Sequence, residues 1–256
     1  MKKKKLTWVV KVGSNVLIEG GPLLIRAYAE QLAKLKKDHA IQVVWVTSGA
    51  IASARARTGR QHTQLAEKQA LSAIGQPLLM DVYNLALQSQ GLIGAQVLLS
   101  YDDMKNVQRR KNLQATLQTL LAWDVIPILN ENDTVATEEI QFGDNDGLSA
   151  MVATLVQADR LLLLTNVDGL YDKDPHRHKD AKIISNVIKV TERLLGDIDS
   201  KSLSNNGRGG MYSKIKAAAV AQKNGIEVQI LKGDLPHLLV RVAAGEKLGT
   251  KIGGRT

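Results

Sequence analysis

The chain has 256 residues, 44% of them apolar and 23% charged, a balance typical of a globular protein. Because it contains no cysteine, disulfides, thiolate catalysis and cysteine-bound zinc are excluded. The net charge of +9 favours anionic partners in general. No arginine-rich helix, zinc-finger spacing or aromatic-studded basic strand accompanies that charge, so we predict no dedicated nucleic-acid binding.

Apolar runs of strand length alternate with amphipathic runs of helix length along the chain. The predicted strands are 6–12, 41–46, 93–99, 125–129, 161–165 and 226–231. The predicted helices are 23–38, 51–56, 65–89, 113–122, 148–156 and 211–223, with Pro22 suited to the first turn of the first helix. This alternation predicts an α/β fold: a three-layer αβα sandwich around a mostly parallel central sheet, formed by a single domain over 1–256.

The regions outside this alternation are polar. The polar composition of residues 172–180 predicts a surface loop, in which His176 and His178 are expected to be solvated rather than metal ligands. Residues 197–210 are rich in Ser, Asn and Gly and predict a mobile loop. No stretch has the length of a membrane span and no signal peptide is recognisable, so we expect a cytoplasmic protein without membrane contact.

Carboxylate and amide side chains cluster at two places, NEND at 130–133 and GDND at 143–146. The first cluster follows a predicted buried strand, and Asn and Asp are poor strand formers with strong hydrogen-bonding groups. Open α/β sheets bind ligands beyond the carboxyl ends of their strands. One cluster alone would indicate a polar hairpin tip rich in turn residues more than a ligand site. The pair, combined with the lysines and glycines below, favours a ligand site.

Lysines and glycine turns recur at the expected carboxyl edge of the sheet. Lys11 and Gly13 end the first strand, a small-residue turn at 47–50 ends the second, and a glycine-rich loop at 207–210 enters a helix. Lys214 falls in the first turn of that helix, where negative charge is preferred, and a bound anion would offset the conflict. Cations, backbone N–H groups and a carboxylate are the requirements of phosphoryl transfer.

These segments closely resemble the amino acid kinase family, and within it the branch that phosphorylates L-glutamate. The resemblance is carried by VVKVGS (9–14), VTSGAIA (46–52), Ile74-Gly75-Gln76, NENDTVAT (130–137), FGDNDGLSA (142–150), LLLLTNVDGLY (161–171) and GRGGMYSK (207–214). It implies the carbamate kinase-like fold, with about 1–150 binding glutamate and 151–256 binding ATP. It also implies transfer of the ATP γ-phosphate to the side-chain carboxylate of L-glutamate, with Mg²⁺, in the first step of proline biosynthesis.

The resemblance assigns roles by matching position. Lys11 and Lys214 would stabilise the transferring phosphoryl group, and Asp146 would orient both lysines. Glutamate would be bound by Ser48, Gly49, Asp133 and Asn145. ATP would lie against Lys11, Gly13, Ser14, Thr165, Asn166, Arg208, Gly209, Gly210, Met211, Tyr212, Ser213 and Lys214. No residue is expected as a direct metal ligand, because ATP would hold Mg²⁺, with Asp146 reaching it through water.

Several features separate this chain from the family pattern. Family members often carry Asp at the position of Asn166 and Thr at the position of Arg208. Many bacterial members continue into a C-terminal PUA domain, whereas this sequence stops at Thr256, so we expect either a short form or a truncated protein. The family also implies a dimer or tetramer, with the helical region after Leu65 as one candidate contact. The alternatives are another phosphoryl acceptor, a non-catalytic nucleotide-binding protein, and an RNA-binding protein acting through its basic surface.

Overall fold

The structure is a computed structural model that describes residues 5–61, 64–135, 145–175, 177–202 and 210–253. Its described strands are β1 Leu6–Val12, β2 Ile41–Val46, β3 Gly94–Leu99, β4 Ile126–Glu131, β5 Arg160–Thr165, β6 Asn186–Val187, β7 Glu227–Lys232 and β8 Thr250–Ile252. They form one eight-stranded sheet in the order β3-β4-β2-β1-β5-β7-β8-β6. Every described pair of these strands is parallel except β7–β8, which confirms the predicted mostly parallel sheet.

Helices cover both faces of this sheet. They are α1 Ser14–His39, α2 Ala50–Thr58, α3 Leu65–Gln88, α4 Tyr101–Lys105, α5 Val107–Ala122, α6 Asp146–Leu155, α7 Glu192–Ser202, α8 Met211–Lys223 and α9 Leu238–Ala243. One core cluster joins the sheet to α1, α3 and α9, and the other joins it to α5, α6 and α8. Successive residues of a strand point to opposite faces, so Val10 enters the first cluster and Val9 the second. Lys11 therefore shares the face of Val9, towards α6.

The first helix begins earlier than predicted. Helical structure starts at Ser14 rather than at residue 23, although Gly21 interrupts it with φ of 56° and ψ of −158°. Pro22 follows this kink and begins the second helical segment, as its fixed φ favours. The prediction was wrong because Gly20, Gly21 and Pro22 locally indicate a break followed by a helix start. In the structure they form only a kink, with helix on both sides of it. The start at Ser14 brings the helix amino terminus directly against the end of β1.

Five described elements were not predicted: β6, β8, α4, α7 and α9. Most are short, and their stabilising contacts are distant in sequence. Thr250 of β8, for example, accepts a hydrogen bond from the Leu170 backbone and donates one to the Ile184 carbonyl, both at 2.7 Å. The prediction of a loop over 197–210 was wrong for 197–202, which belong to α7. Its polar composition concealed one buried apolar residue, Ile198, which packs on the second cluster.

The carboxyl ends of β1 and β5 lie side by side at the centre of the sheet. The chain leaves β1 towards β2 on one side, whereas β5 pairs with β7 on the other. Such a reversal opens a crevice at the carboxyl edge of a parallel sheet, the usual ligand position in open α/β folds. The Gly13 amide donates to the Leu164 carbonyl at 3.2 Å, which ties the two strand ends together at this crevice.

Candidate active site

A buried carboxylate lies between two lysines at the carboxyl edge of the sheet. Lys11 Nζ is 2.6 Å from Asp146 Oδ1, and Lys214 Nζ is 2.9 Å from Asp146 Oδ2. The Asp146 side chain is fully buried, and those of Lys11 and Lys214 are 4% and 9% exposed. Ser213 Oγ also donates to Asp146 Oδ2 at 2.8 Å. Asp146 therefore contacts both of the lysines that were predicted, with it, as catalytic.

Each of these side chains is delivered by a different element. Lys11 is near the end of β1, Asp146 is the first residue of α6, and Lys214 lies in the first turn of α8, which packs against α6. No acidic residue lies in the first turn of α8, so the lysine there is paired across the interface by Asp146. The unfavourable position of the Lys214 cation at a helix amino terminus is thus partly offset by a carboxylate of the protein itself.

The charge of this cluster suits a phosphate. Two ammonium groups contact the single carboxylate of Asp146 at the carboxyl edge of the sheet. Removing charges from water is costly unless they are paired, and an anionic ligand would add a favourable partner for both lysines. Preorganised cations that are screened from water are also the groups that stabilise charge developing on a transferring phosphoryl group.

The residues predicted to bind the nucleotide lie around the same crevice. Gly13 precedes α1 as its N-cap and Ser14 begins that helix, while Thr165 ends β5. Thr165 Oγ1 lies 3.4 Å from the side-chain oxygen of the exposed Asn166. On the other side of the crevice, Gly210 is the N-cap of α8.

The remaining predicted nucleotide residues are at the start of α8 or precede it in the sequence. Met211 and Tyr212 are half-buried and pack against the second core cluster. Ser213 directs its hydroxyl at Asp146. Arg208 and Gly209 lie outside the described residues, as does His176.

Three of the residues predicted to bind the acceptor meet where β2 ends. The Asn145 side-chain nitrogen donates to the Thr47 carbonyl at 2.7 Å, and the Ser48 hydroxyl oxygen lies 3.3 Å from it. Gly49 follows with φ of 97°, a left-handed conformation that favours glycine, and serves as the N-cap of α2. Asn145 directly precedes Asp146, so this cluster adjoins the two lysines.

Asp133 lies in the loop after β4 and is held by α3. The Ser72 hydroxyl donates to Asp133 Oδ2 at 2.7 Å. Burial raises the pKa of the Asp133 carboxyl above its usual value, and the Ser72 hydrogen bond opposes that rise. A half-buried carboxylate of this kind is suited to a cationic group of a ligand, whose approach would favour the ionised form.

Helix α3 supports the acceptor side of the site, which the sequence reasoning missed. Ser72, Gly75 and Gln76 have the spacing of a single helix face. Ser72 binds Asp133, and Gln76 binds Asn130. At Gly75 the helix lies so close to α2 that an added Cβ would be 1.7 Å from the Ala50 carbonyl oxygen. The helical spacing of these polar and glycine residues was the available signal.

Gly75→Ala is expected to lower the free energy of unfolding by roughly 1–3 kcal/mol, as overpacking does, because backbone atoms of α2 must move. Chemical denaturation would measure the change. Gly196→Ala in α7 is a matched control, since no atom lies within 4 Å of an added Cβ there. That change should stabilise the fold slightly through helix propensity. Equal effects of the two substitutions would contradict the close approach at Gly75.

The described residues contain neither a metal-binding cluster nor a membrane-spanning helix. Within the described ranges, no group of three or more His, Asp or Glu side chains is arranged to hold a metal ion. In the same part of the chain, no helix has both the length and the apolar character needed to cross a bilayer.

Residues 6–232 match the amino acid kinase family, and the chain belongs to that family. It is also similar to isopentenyl phosphate kinase, with a TM-score of 0.63 at 15% identity, over 96% of this chain and 99% of the other. At that identity the likeness concerns the fold alone. It agrees with the predicted layered α/β architecture and the mostly parallel sheet.

Several relatives are far closer in sequence, and each is named glutamate 5-kinase. The relative from Caldanaerobacter subterraneus is 44% identical over 248 residues, which cover 94% of this chain and 66% of the relative. The relative from Thioalkalivibrio sulfidiphilus is 43% identical, with coverage of 97% and 68%. The relative from Marinomonas is 43% identical, with coverage of 94% and 66%. The chain thus spans about two thirds of the length of these relatives.

Proposed function

We propose that this chain is a glutamate 5-kinase, which transfers the γ-phosphate of ATP to the side-chain carboxylate of L-glutamate in proline biosynthesis. One observation carries the proposal: Asn145 and Asp146 are consecutive residues with different partners. Asn145 binds the cluster around Ser48, whereas Asp146 binds both lysines. The proposed acceptor site thus adjoins the proposed phosphoryl site, which supports direct transfer between them. Relatives of that name at 43–44% identity support the choice of acceptor.

The mechanism needs no protein base, because the acceptor is already a nucleophile. A glutamate side chain, with an ordinary pKa of about 4.3, is ionised at neutral pH. Lys11 and Lys214 approach opposite oxygens of Asp146, so the carboxylate fixes the separation of the two ammonium groups. We assign to both lysines the role of stabilising the negative charge on the phosphoryl group. That charge is redistributed while the bond to the leaving oxygen breaks and the bond to the attacking oxygen forms. Asp146 positions the two lysines.

The site fits a magnesium ion held mainly by the nucleotide. Both Asp146 oxygens contact ammonium groups, and the described residues contain no multidentate acidic cluster. Mg²⁺ commonly keeps several waters and binds through substrate phosphates with few protein carboxylates. When bound, the ion would neutralise charge on the ATP phosphates. Asp146 could reach it through water.

We assign Asp133 to the α-ammonium group of glutamate. Asp133→Asn removes the charge but keeps the shape, and it is expected to raise the glutamate KM by about 10- to 100-fold, because a charged hydrogen bond is lost. Turnover at saturation and the ATP KM should change little, since the contact exists before the transition state. Steady-state kinetics would measure both. Asp81→Asn, at an exposed position of α3, is the matched control.

The raised pKa of Asp133 gives this prediction a pH dependence. The carboxyl must be ionised to bind an ammonium group, so kcat/KM for glutamate should fall as the pH drops through the raised pKa. Asp133→Asn should lack that limb of the profile. An unchanged glutamate KM, or an acid limb retained in Asp133→Asn, would remove Asp133 from the acceptor pocket.

The acceptor itself is tested with ATP, Mg²⁺ and a panel of L-glutamate, N-acetylglutamate, L-aspartate, carbamate and UMP. Hydroxylamine is added to trap acyl phosphates as hydroxamates. We expect a hydroxamate with L-glutamate alone. Turnover with another acceptor would keep the family and reject our assignment of Asp133 and Asn145. No turnover with any acceptor would favour a non-catalytic nucleotide-binding protein.

We also propose that the protein forms a homo-oligomer. The edge strand β3 and its surroundings expose apolar side chains: Ile93 is 66% exposed, Leu85 of α3 is 68% exposed and Leu98 is 37% exposed. Edge strands with exposed apolar residues favour pairing with another chain. Light scattering on the purified protein would test this, and a monomer at micromolar concentration would contradict it. Cytoplasmic localisation stays a prediction.

A further inference from the structure

A network of hydrogen-bonded side-chain amides links α3 to Asn145. Asn145 Nδ2 donates to Asn130 Oδ1 at 2.7 Å, and Asn130 Nδ2 donates to Gln76 Oε1 at 2.8 Å. Gln76 Nε2 then donates to Gln96 Oε1 at 3.1 Å. Gln76, Asn130 and Asn145 are 7%, 3% and 6% exposed, whereas Gln96 lies on the exposed edge strand β3. The network runs from Gln96 at the protein surface to Asn145, the residue before Asp146.

Two backbone groups determine the direction of every hydrogen bond in this network. The Thr47 carbonyl can only accept, so the Asn145 group that faces it must be the NH₂. The Glu131 backbone N–H can only donate, so the Asn130 atom that it binds, at 3.0 Å, must be the oxygen. The Asn130 NH₂ therefore faces Gln76, and the Gln76 oxygen must face Asn130.

The consequence for Asn145 is a fixed carboxamide orientation. Both hydrogens of its NH₂ are directed at protein acceptors, the Thr47 carbonyl and the Asn130 oxygen. The Asn145 oxygen can only accept a hydrogen bond. A ligand at Asn145 would therefore be recognised through a donor. The α-ammonium of an amino acid is such a donor, and an acylated nitrogen is a much poorer one.

We infer that Gln76 is a positioning residue that, together with these two backbone groups, holds the Asn145 carboxamide in place through Asn130 and so favours recognition of the acceptor's amino group. This inference rests on the proposed function for the identity of the acceptor. Gln76 itself contacts Asn130 and Gln96 and needs no contact with the substrate. If Gln76 cannot accept, the buried Asn130 NH₂ loses its partner. The two backbone groups still oppose a flip of either carboxamide, so the cost of that loss favours a shift of Asn130 that weakens its hydrogen bond to Asn145.

Gln76→Leu tests the inference, with Gln88→Leu as the matched control, because Gln88 is an exposed glutamine on the same helix. Gln76→Leu should raise the glutamate KM by about tenfold, as expected for an unsatisfied buried donor, and leave the ATP KM unchanged. Gln76→Glu keeps an acceptor towards Asn130, and the exposed Gln96 can rotate to donate to the second oxygen. That variant should therefore stay within about threefold of the wild-type glutamate KM, less than the value of one neutral hydrogen bond.

A double-mutant cycle tests whether Gln76 acts through Asn130. Asn130→Ala should raise the glutamate KM by itself, and adding Gln76→Leu should have little further effect, since coupled residues are not additive. Additive effects would overturn the relay. Equal effects of Gln76→Leu and Gln76→Glu would also overturn it, because packing alone would then explain both.

A spectroscopic measurement separates failure of the relay from failure of the proposed function. The Asn145 side-chain amide resonances can be assigned by their loss in Asn145→Asp, in protein without substrate. We expect Gln76→Leu to shift them and Gln88→Leu to leave them in place. Unshifted resonances would overturn the relay whatever the acceptor is. Shifted resonances with no glutamate turnover in wild-type protein would keep the relay and reject the proposed acceptor.

Discussion

Asp146→Asn is expected to lower kcat by about 10²- to 10³-fold or more, the effect of losing one preorganised electrostatic group. The substitution keeps the shape of the side chain but leaves two buried ammonium groups without their shared carboxylate. Breaking a buried ion pair by removing one partner commonly costs about 3–5 kcal/mol of stability. We therefore expect lower stability together with the loss of activity, measured by steady-state kinetics and denaturant unfolding. Asp81→Asn, at an exposed position, should change neither.

A second substitution separates the two effects of Asp146→Asn. Lys214→Met in that background removes one of the two ammonium groups that have lost the Asp146 carboxylate, so part of the lost stability should return. The activity should not return, because the double variant also lacks one of the two ammonium groups that phosphoryl transfer needs. Recovery of stability is a coupling between residues in contact, which a double-mutant cycle measures directly. If Asp146→Asn alone kept both full activity and full stability, the carboxylate would be incidental to the site.

Lys214→Ala is expected to lower kcat by about 10²- to 10³-fold while the protein stays folded. Asp146 keeps its contact with Lys11 at 2.6 Å, so no buried charge is left alone. Circular dichroism would verify the fold, and kinetics at saturating ATP and glutamate would give kcat.

Lys216→Ala is the matched control for Lys214→Ala, because Lys216 lies two residues further along the same helix and is exposed. It should leave kcat unchanged. The two variants remove the same formal charge, so a difference between them reports position rather than net charge. Equal activity of both variants would withdraw Lys214 from the phosphoryl site.

Much of the fold could be predicted because its signals are local. The strands of the central sheet are continuous apolar runs, and parallel strands bring their carboxyl ends to one edge. That rule alone predicts that Lys11, at the end of β1, and the loop after β4 share the same edge. The contact of Asp146 with both lysines needed more than this rule, and it was implied only by the family resemblance.

The elements that were not predicted depend on contacts between distant residues. α1 could not be traced back to Ser14, because its kink at Gly21 is indistinguishable locally from a helix end. β8 is three residues long and is stabilised by antiparallel pairing with β7. The role of Gln76 depends on Asn130, 54 residues away, and on the direction of hydrogen bonds that no sequence pattern specifies.

The most direct test of the central claim follows an oxygen atom. The protein is incubated with ATP, Mg²⁺ and L-glutamate whose side-chain carboxylate carries ¹⁸O, and hydroxylamine is added. The carboxylate oxygen that attacks the γ-phosphorus becomes the bridging oxygen of the acyl phosphate. Hydroxylamine attacks the carbonyl carbon and releases phosphate that retains that oxygen. We expect one ¹⁸O atom in each phosphate released with glutamyl hydroxamate, measured by mass spectrometry. Phosphate without ¹⁸O would mean that water, not glutamate, attacks ATP, and would contradict the proposed reaction.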